Sequence, residues 1–172
     1  MVPEAMALAA EAGDGTNAAA HAFQRALFQS LISAVYLGAA RRALLEAAHF
    51  ARQQRLAEAD GVHAELGRLN IRLHGALAAS RICADPLARF VGAPSEETLR
   101  LFGEAATVAK QTGCVAAAEI VTSVQRFIGT RAMEPNHVMA EISRLAQFGP
   151  LHPVVAAQAE RHFGQALLRL GE

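Results

Sequence analysis

Apolar positions along this chain recur at helical rather than strand spacing, and no stretch alternates in the two-residue rhythm of a β-strand. From Ala18 to about Ala57 there is no proline and a single glycine, Gly38, so one long helix is predicted, on the order of 60 Å in length. Small residues repeat every four positions at Ala39, Ala43, Ala47 and Ala51, beside a larger stripe of Phe28, Ile32, Val35 and Leu45. Asp60–Gly61 breaks the pattern and starts a second helix, with its inner face at Val62, Leu66, Leu69, Leu73, Ala76 and Ser80. That helix is expected to continue through Asp85–Pro86 with a kink, as far as Phe90 and Val91. Gly92 to Ser95 reads as a turn, and Ser95 followed by Glu96 and Glu97 is a helix start.

The third long helix is predicted from Glu96 to Ile128 and ends at Gly129. Leu101, Val108 and Val115 repeat at seven, next to the small residues Ala105, Ala109, Gly113 and Ala117 at four. A shorter helix follows over Asn136 to Gln147, then the interruption Phe148–Gly149–Pro150, then a terminal helix from Pro153 to about Leu170. Residues 1–17, with Pro3, Gly13 and Gly15, read as a linker whose Asn17 caps the first helix, leaving 18–172 as the folded domain. The expected fold is all-α: an antiparallel up-and-down bundle of four helices plus a short terminal helix.

Composition narrows the function classes. The 172 residues suffice for one domain. Sixteen basic and sixteen acidic side chains cancel, which gives no field to attract nucleic acid. Lys110 is the only lysine, an imbalance toward arginine that codon usage alone would produce. Tyr36 is the only tyrosine, and there is no tryptophan. Cys83 and Cys114 have no zinc-like or redox spacing and read as reduced, buried thiols. The most apolar stretch, Ala26 to Ala40, is shorter than a membrane span, and the N-terminus has no signal-peptide pattern, so a soluble cytoplasmic protein is expected.

The segment Ile32-Ser-Ala-Val-Tyr-Leu-Gly-Ala-Ala-Arg-Arg-Ala-Leu-Leu-Glu-Ala-Ala-His-Phe-Ala-Arg52 resembles the first long helix of the C-terminal domain of the acyl-CoA dehydrogenase superfamily. Ala109-Lys110, the Ala-rich Val115 to Val121, and Phe127-Ile-Gly-Thr130 are similar to that family's third helix. Met1-Val-Pro-Glu-Ala-Met-Ala-Leu8 is similar to the segment joining its β-domain to its helical domain. The resemblance runs over nearly the whole chain, but covers only the last two-fifths or so of a full-length member.

Dehydrogenases of the family place a catalytic Glu before the last helix. Here Gln147-Phe-Gly-Pro-Leu-His-Pro-Val154 holds no acid and is similar instead to the flavin-dependent monooxygenase and type-2 branch. The resemblance implies that His152 faces a flavin as proton donor or hydrogen-bond partner, a role suited to imidazole. It implies FAD as cofactor, with Arg52 and Arg55 near its phosphates, in the same or a neighbouring subunit. Arg144 matches a family Arg, although Leu145 stands where Asp or Asn would follow. It also implies a homo-oligomer, or a partner supplying the N-terminal and β-domains, since nothing in this chain alone would orient a flavin and a thioester. A non-catalytic self-association module is the alternative.

Plain roles compete for each of these residues: His152 capping a helix start, Arg52 and Arg55 closing a helix end, Arg144 in a surface ion pair. Glu46-x-x-His49 and Glu134-x-x-His137 have the spacing used by di-iron bundles, with Glu65 and Glu119 as further ligands, but Pro135 interrupts the second motif. No metal site is expected.

Overall fold

The structure, a computed structural model, describes residues 14–169. Six α-helices follow one another among them: α1 Asp14–Gln53, α2 Asp60–Arg81, α3 Ala84–Gly92, α4 Glu96–Ile128, α5 Val138–Phe148 and α6 Ala156–Arg169. Short 3-10 turns at Gly129–Met133 and Gly149–Leu151 flank α5. The fold is all-α, as the periodicity leads one to expect.

Several boundaries differ from expectation for local reasons. α1 begins at Asp14, so Asn17 lies inside the helix rather than at its cap, while residues 1–13 of the expected linker lie outside the described residues. Its other end comes at Gln53, before Ala57. There Arg55 adopts a left-handed φ of 58°, the Leu56 N–H donates to the Ala51 carbonyl at 2.8 Å, and the Arg55 N–H donates to Arg52 at 3.1 Å. These two bonds form the αL helix stop usually built on glycine. The kinked helix through Pro86 is also corrected. α2 ends at Arg81, and Pro86 sits in the first turn of a separate helix, where the missing N–H costs nothing. Helix α4 has the predicted bounds. The Ser95 hydroxyl accepts from the Thr98 N–H, and the Thr98 hydroxyl accepts from the Ser95 N–H, which closes a capping box.

Helices α1 and α4 form a central pair pointing the same way. Phe23 meets Phe102, Ser33 bonds the Ala109 carbonyl, and Phe50 meets Phe127, so both chains advance together. α2 runs against them, with Ser80 beside Ser33 and Arg72 beside Glu119. The α5 rod returns from the far end until Gly149 reaches Tyr36 and Cys114.

The pair approaches through small residues. Ala39, Ala43, Ala47 and Ala51 are buried on α1, and Ala109, Gly113 and Ala117 on α4. The larger stripes expected beside them do not share that burial: Phe28, Val35, Leu45, Val108 and Val115 are exposed in the single chain. Backbones this close leave no room for long side chains, so those turn to the flanks. At Gly113 a Cβ would lie 2.2 Å from the Ser33 hydroxyl oxygen.

Candidate functional site

The apolar interior falls into two clusters. One spans Tyr36 to Ala146 and includes Leu69, Ile120 and Met139. The other is built on Ala26, Cys83, Phe102, Ala106 and Ala109. Between them lies a layer of buried polar side chains, Gln29 and Ser33 from α1 and Lys110 from α4. Polar groups at such depth require partners: Ser33 finds Ser80 and the Ala109 carbonyl, and Lys110 reaches the segment carrying His152.

Lys110 is fully buried, and its Nζ donates to the carbonyls of His152 at 2.7 Å and Val154 at 2.9 Å. The neighbouring Gln111 Nε2 donates to the same Val154 carbonyl at 2.7 Å. Lys110 makes no salt bridge among the described residues, and burial pushes its pKa below the ordinary lysine range. One ammonium thus ties the 152–154 backbone to the middle of α4.

The His152 ring is held separately. Its Nε2 lies 2.9 Å from the Tyr36 hydroxyl, and its ring packs edge-on against Phe28. Burial pushes the Tyr36 phenol above its ordinary value, so it stays neutral at neutral pH. Nδ1 is therefore the imidazole nitrogen left for another partner. Gly149 lets the chain pass close behind this pair, since a Cβ there would lie 3.1 Å from Cys114 Cβ and 3.2 Å from the Tyr36 ring.

Cys114 completes the cluster one turn beyond Lys110, fully buried and a free thiol. Burial pushes its pKa up to about 11 from an ordinary 9.0, against the lowering effect of Lys110. A raised thiol pKa contributes stability that is whole below pH 9 and is lost as pH climbs through 11, because the unfolded chain releases its proton first. Lys110, with a lowered pKa, acts in the opposite sense as pH rises toward 10.5. Under reducing conditions the stability deficit of Cys114→Ala relative to the unaltered protein should narrow by roughly 2 kcal/mol between pH 8.5 and 11. A deficit constant across that range, in urea melts, would contradict the assignment.

The other sequence candidates lie elsewhere. Arg52 and Arg55 are exposed at the end of α1, on the order of 24 Å along the helix from Tyr36. Arg144 is exposed on α5, its Nε donating to the Ala140 carbonyl at 3.3 Å. Arg52 and Arg55 thus stand at the far end of α1 from the Tyr36–His152 pair. The di-iron spacing does not assemble. Glu46 pairs with Arg42, Glu65 with Arg68 and Glu119 with Arg72. His137 Nδ1 accepts from the Met139 N–H as the cap of α5, and Glu134 lies in the loop before it. Among the described residues no group of three or more His, Cys, Asp or Glu side chains comes together.

The family resemblance singles out His152, but it does not single out Tyr36, Lys110 and Gln111 as the residues that fix it. The signal for Lys110 is its solitude: one lysine in an arginine-rich chain, set within an alanine stripe. The Tyr36 contact has no sequence signal, because residues 36 and 152 meet only through the fold. No family model matches this chain, and no curated protein matches it. No described helix is long and apolar enough to cross a membrane.

Proposed function

We propose that this chain is the helical domain of a flavoenzyme resembling the acyl-CoA dehydrogenase superfamily, supplying the His152 loop and an oligomer-forming face to a larger assembly. The observation supporting the reading is that His152 is held twice, its ring by Tyr36 and its backbone by Lys110. Two buried or half-buried contacts spent on one loop histidine favour a positioned imidazole over a simple cap. The ring sits beside exposed apolar residues, Phe28 at 43% and Leu151 at 68% exposure, a setting suited to cover by another domain or copy. FAD in this reading supplies the redox chemistry and is held by the assembly. The cytoplasm is the compartment that keeps Cys83 and Cys114 as thiols.

The test is a titration of the purified chain with FAD, alone and together with an N-terminal and β-domain fragment of an acyl-CoA dehydrogenase-type protein. A shifted flavin absorbance in the mixture, reduced by His152→Ala, is the expected result. No shift under either condition would overturn the enzyme reading. The exposed run Phe28, Leu31 and Val35 along α1 favours a second reading, a self-association module without chemistry. Sedimentation showing a flavin-free oligomer would support that one.

A further inference from the structure

On the other side of the Lys110-clamped segment lies an open groove of about 570 Å³, bounded by the first halves of α1 and α4 and by α6. Its volume is that of a small-molecule site. Ala22, Ala26, Leu99, Val154 and Ala159 make its lining largely apolar. Gln29 lies among them, 2% exposed, and its Oε1 has no hydrogen-bond partner among the described residues. A buried amide oxygen left without a donor costs on the order of 1–3 kcal/mol, and an apolar side chain of similar size would avoid that cost. Such an orphan marks a place where an interaction is waiting to be made.

We infer that this groove binds a small amphiphilic molecule whose N–H or O–H donates to Gln29 Oε1 while its apolar body lies along the alanine-lined walls. The rim indicates the charge class. Arg25 and Arg100 are matched by Glu96 and Glu104, and Arg100 already bonds Glu97 and Glu104. A balanced rim provides no clamp for a polyanion such as a nucleotide, so the ligand is neutral or zwitterionic. This inference does not depend on flavin, since of the groove residues only Val154 belongs to the His152 loop. The groove and the His152 loop do share Val154: its carbonyl is the one held by Lys110 and Gln111.

The experiment uses the full chain, isotope-labelled, with hexanamide and N,N-dimethylhexanamide as probes, which differ in the amide N–H donor. Hexanamide should shift the amide resonances of Ala22, Gln29, Gly103 and Thr107, and bind at least fivefold more tightly than the dimethyl compound. In Gln29→Leu that preference should vanish, with a melting temperature unchanged or higher, because an unpaired polar group has been removed. The proposal is overturned by any of three results. These are absence of groove shifts, as when the chain's own N-terminal segment fills the site; a donor preference that survives in Gln29→Leu; or a lower melting temperature in that variant, which would make Gln29 a structural residue.

Discussion

Lys110→Ala should cost about 3–5 kcal/mol in urea unfolding, the largest loss expected from a single change in this chain. Three effects set that figure. Removing the buried stem beyond Cβ, three carbons and the ammonium, leaves a cavity where the two apolar clusters meet, worth several kcal/mol by itself. The His152 carbonyl loses its Lys110 donor, and the Val154 carbonyl keeps only Gln111. Against these, the cost of keeping a charge out of water disappears, the same burial that lowers the pKa of Lys110. Lys110→Met separates the contributions, for it keeps the stem and removes the donors. It should lose only about 1–3 kcal/mol, yet speed amide exchange across residues 150–156 as much as Lys110→Ala does. A Met variant with unchanged exchange there would mean that the ammonium does not hold the His152 segment.

The second large effect is expected at Gly113. In Gly113→Ala the new methyl would overlap the Ser33 oxygen, which sits 2.2 Å from the Cβ position. Ser33 cannot simply turn aside: its hydroxyl is bonded to the Ala109 carbonyl at 3.0 Å and to the Ser80 hydroxyl at 2.7 Å. The helices must separate or these bonds must break, at about 2–4 kcal/mol. For a domain of this size that lowers the melting temperature by roughly 5–15 °C. Ser33→Gly in the same chain should recover part of the loss by opening the space, so a double-mutant cycle gives a coupling of opposite sign to the single effects. Additive losses would place the strain elsewhere.

Much of the fold is legible in the sequence. Asp60 opens a helix, Ser95 caps another, and Gly129 ends it, each through local chemistry acting within a few residues. The small-residue stripe of α1 is legible as well, because alanine every fourth position can only lie on one helical face. Which of two adjacent stripes turns inward is not legible. Helical periodicity gives the phase of Val108 and Val115 relative to Ala109 and Gly113, but not how near the partner helix will come. Once the backbones approach within reach of the Ser33 bond, only the small face fits. The site divides the same way. His152 stands out only through the family resemblance of the segment around it, whereas its holders lie far away in sequence at positions 36 and 110. The phosphate role of Arg55 comes only with the family resemblance, and its left-handed backbone has no sequence signal at all.

The alanine-built contact between α1 and α4 also has a calorimetric consequence. Alanine has no rotamers to freeze, so the central pair becomes ordered at almost no side-chain entropy cost. The same residues expose little apolar area when the helices part, and the heat-capacity increment of unfolding follows that area. The pair therefore unfolds with a small increment for its length, and the stability of this protein changes gently with temperature, cooling included.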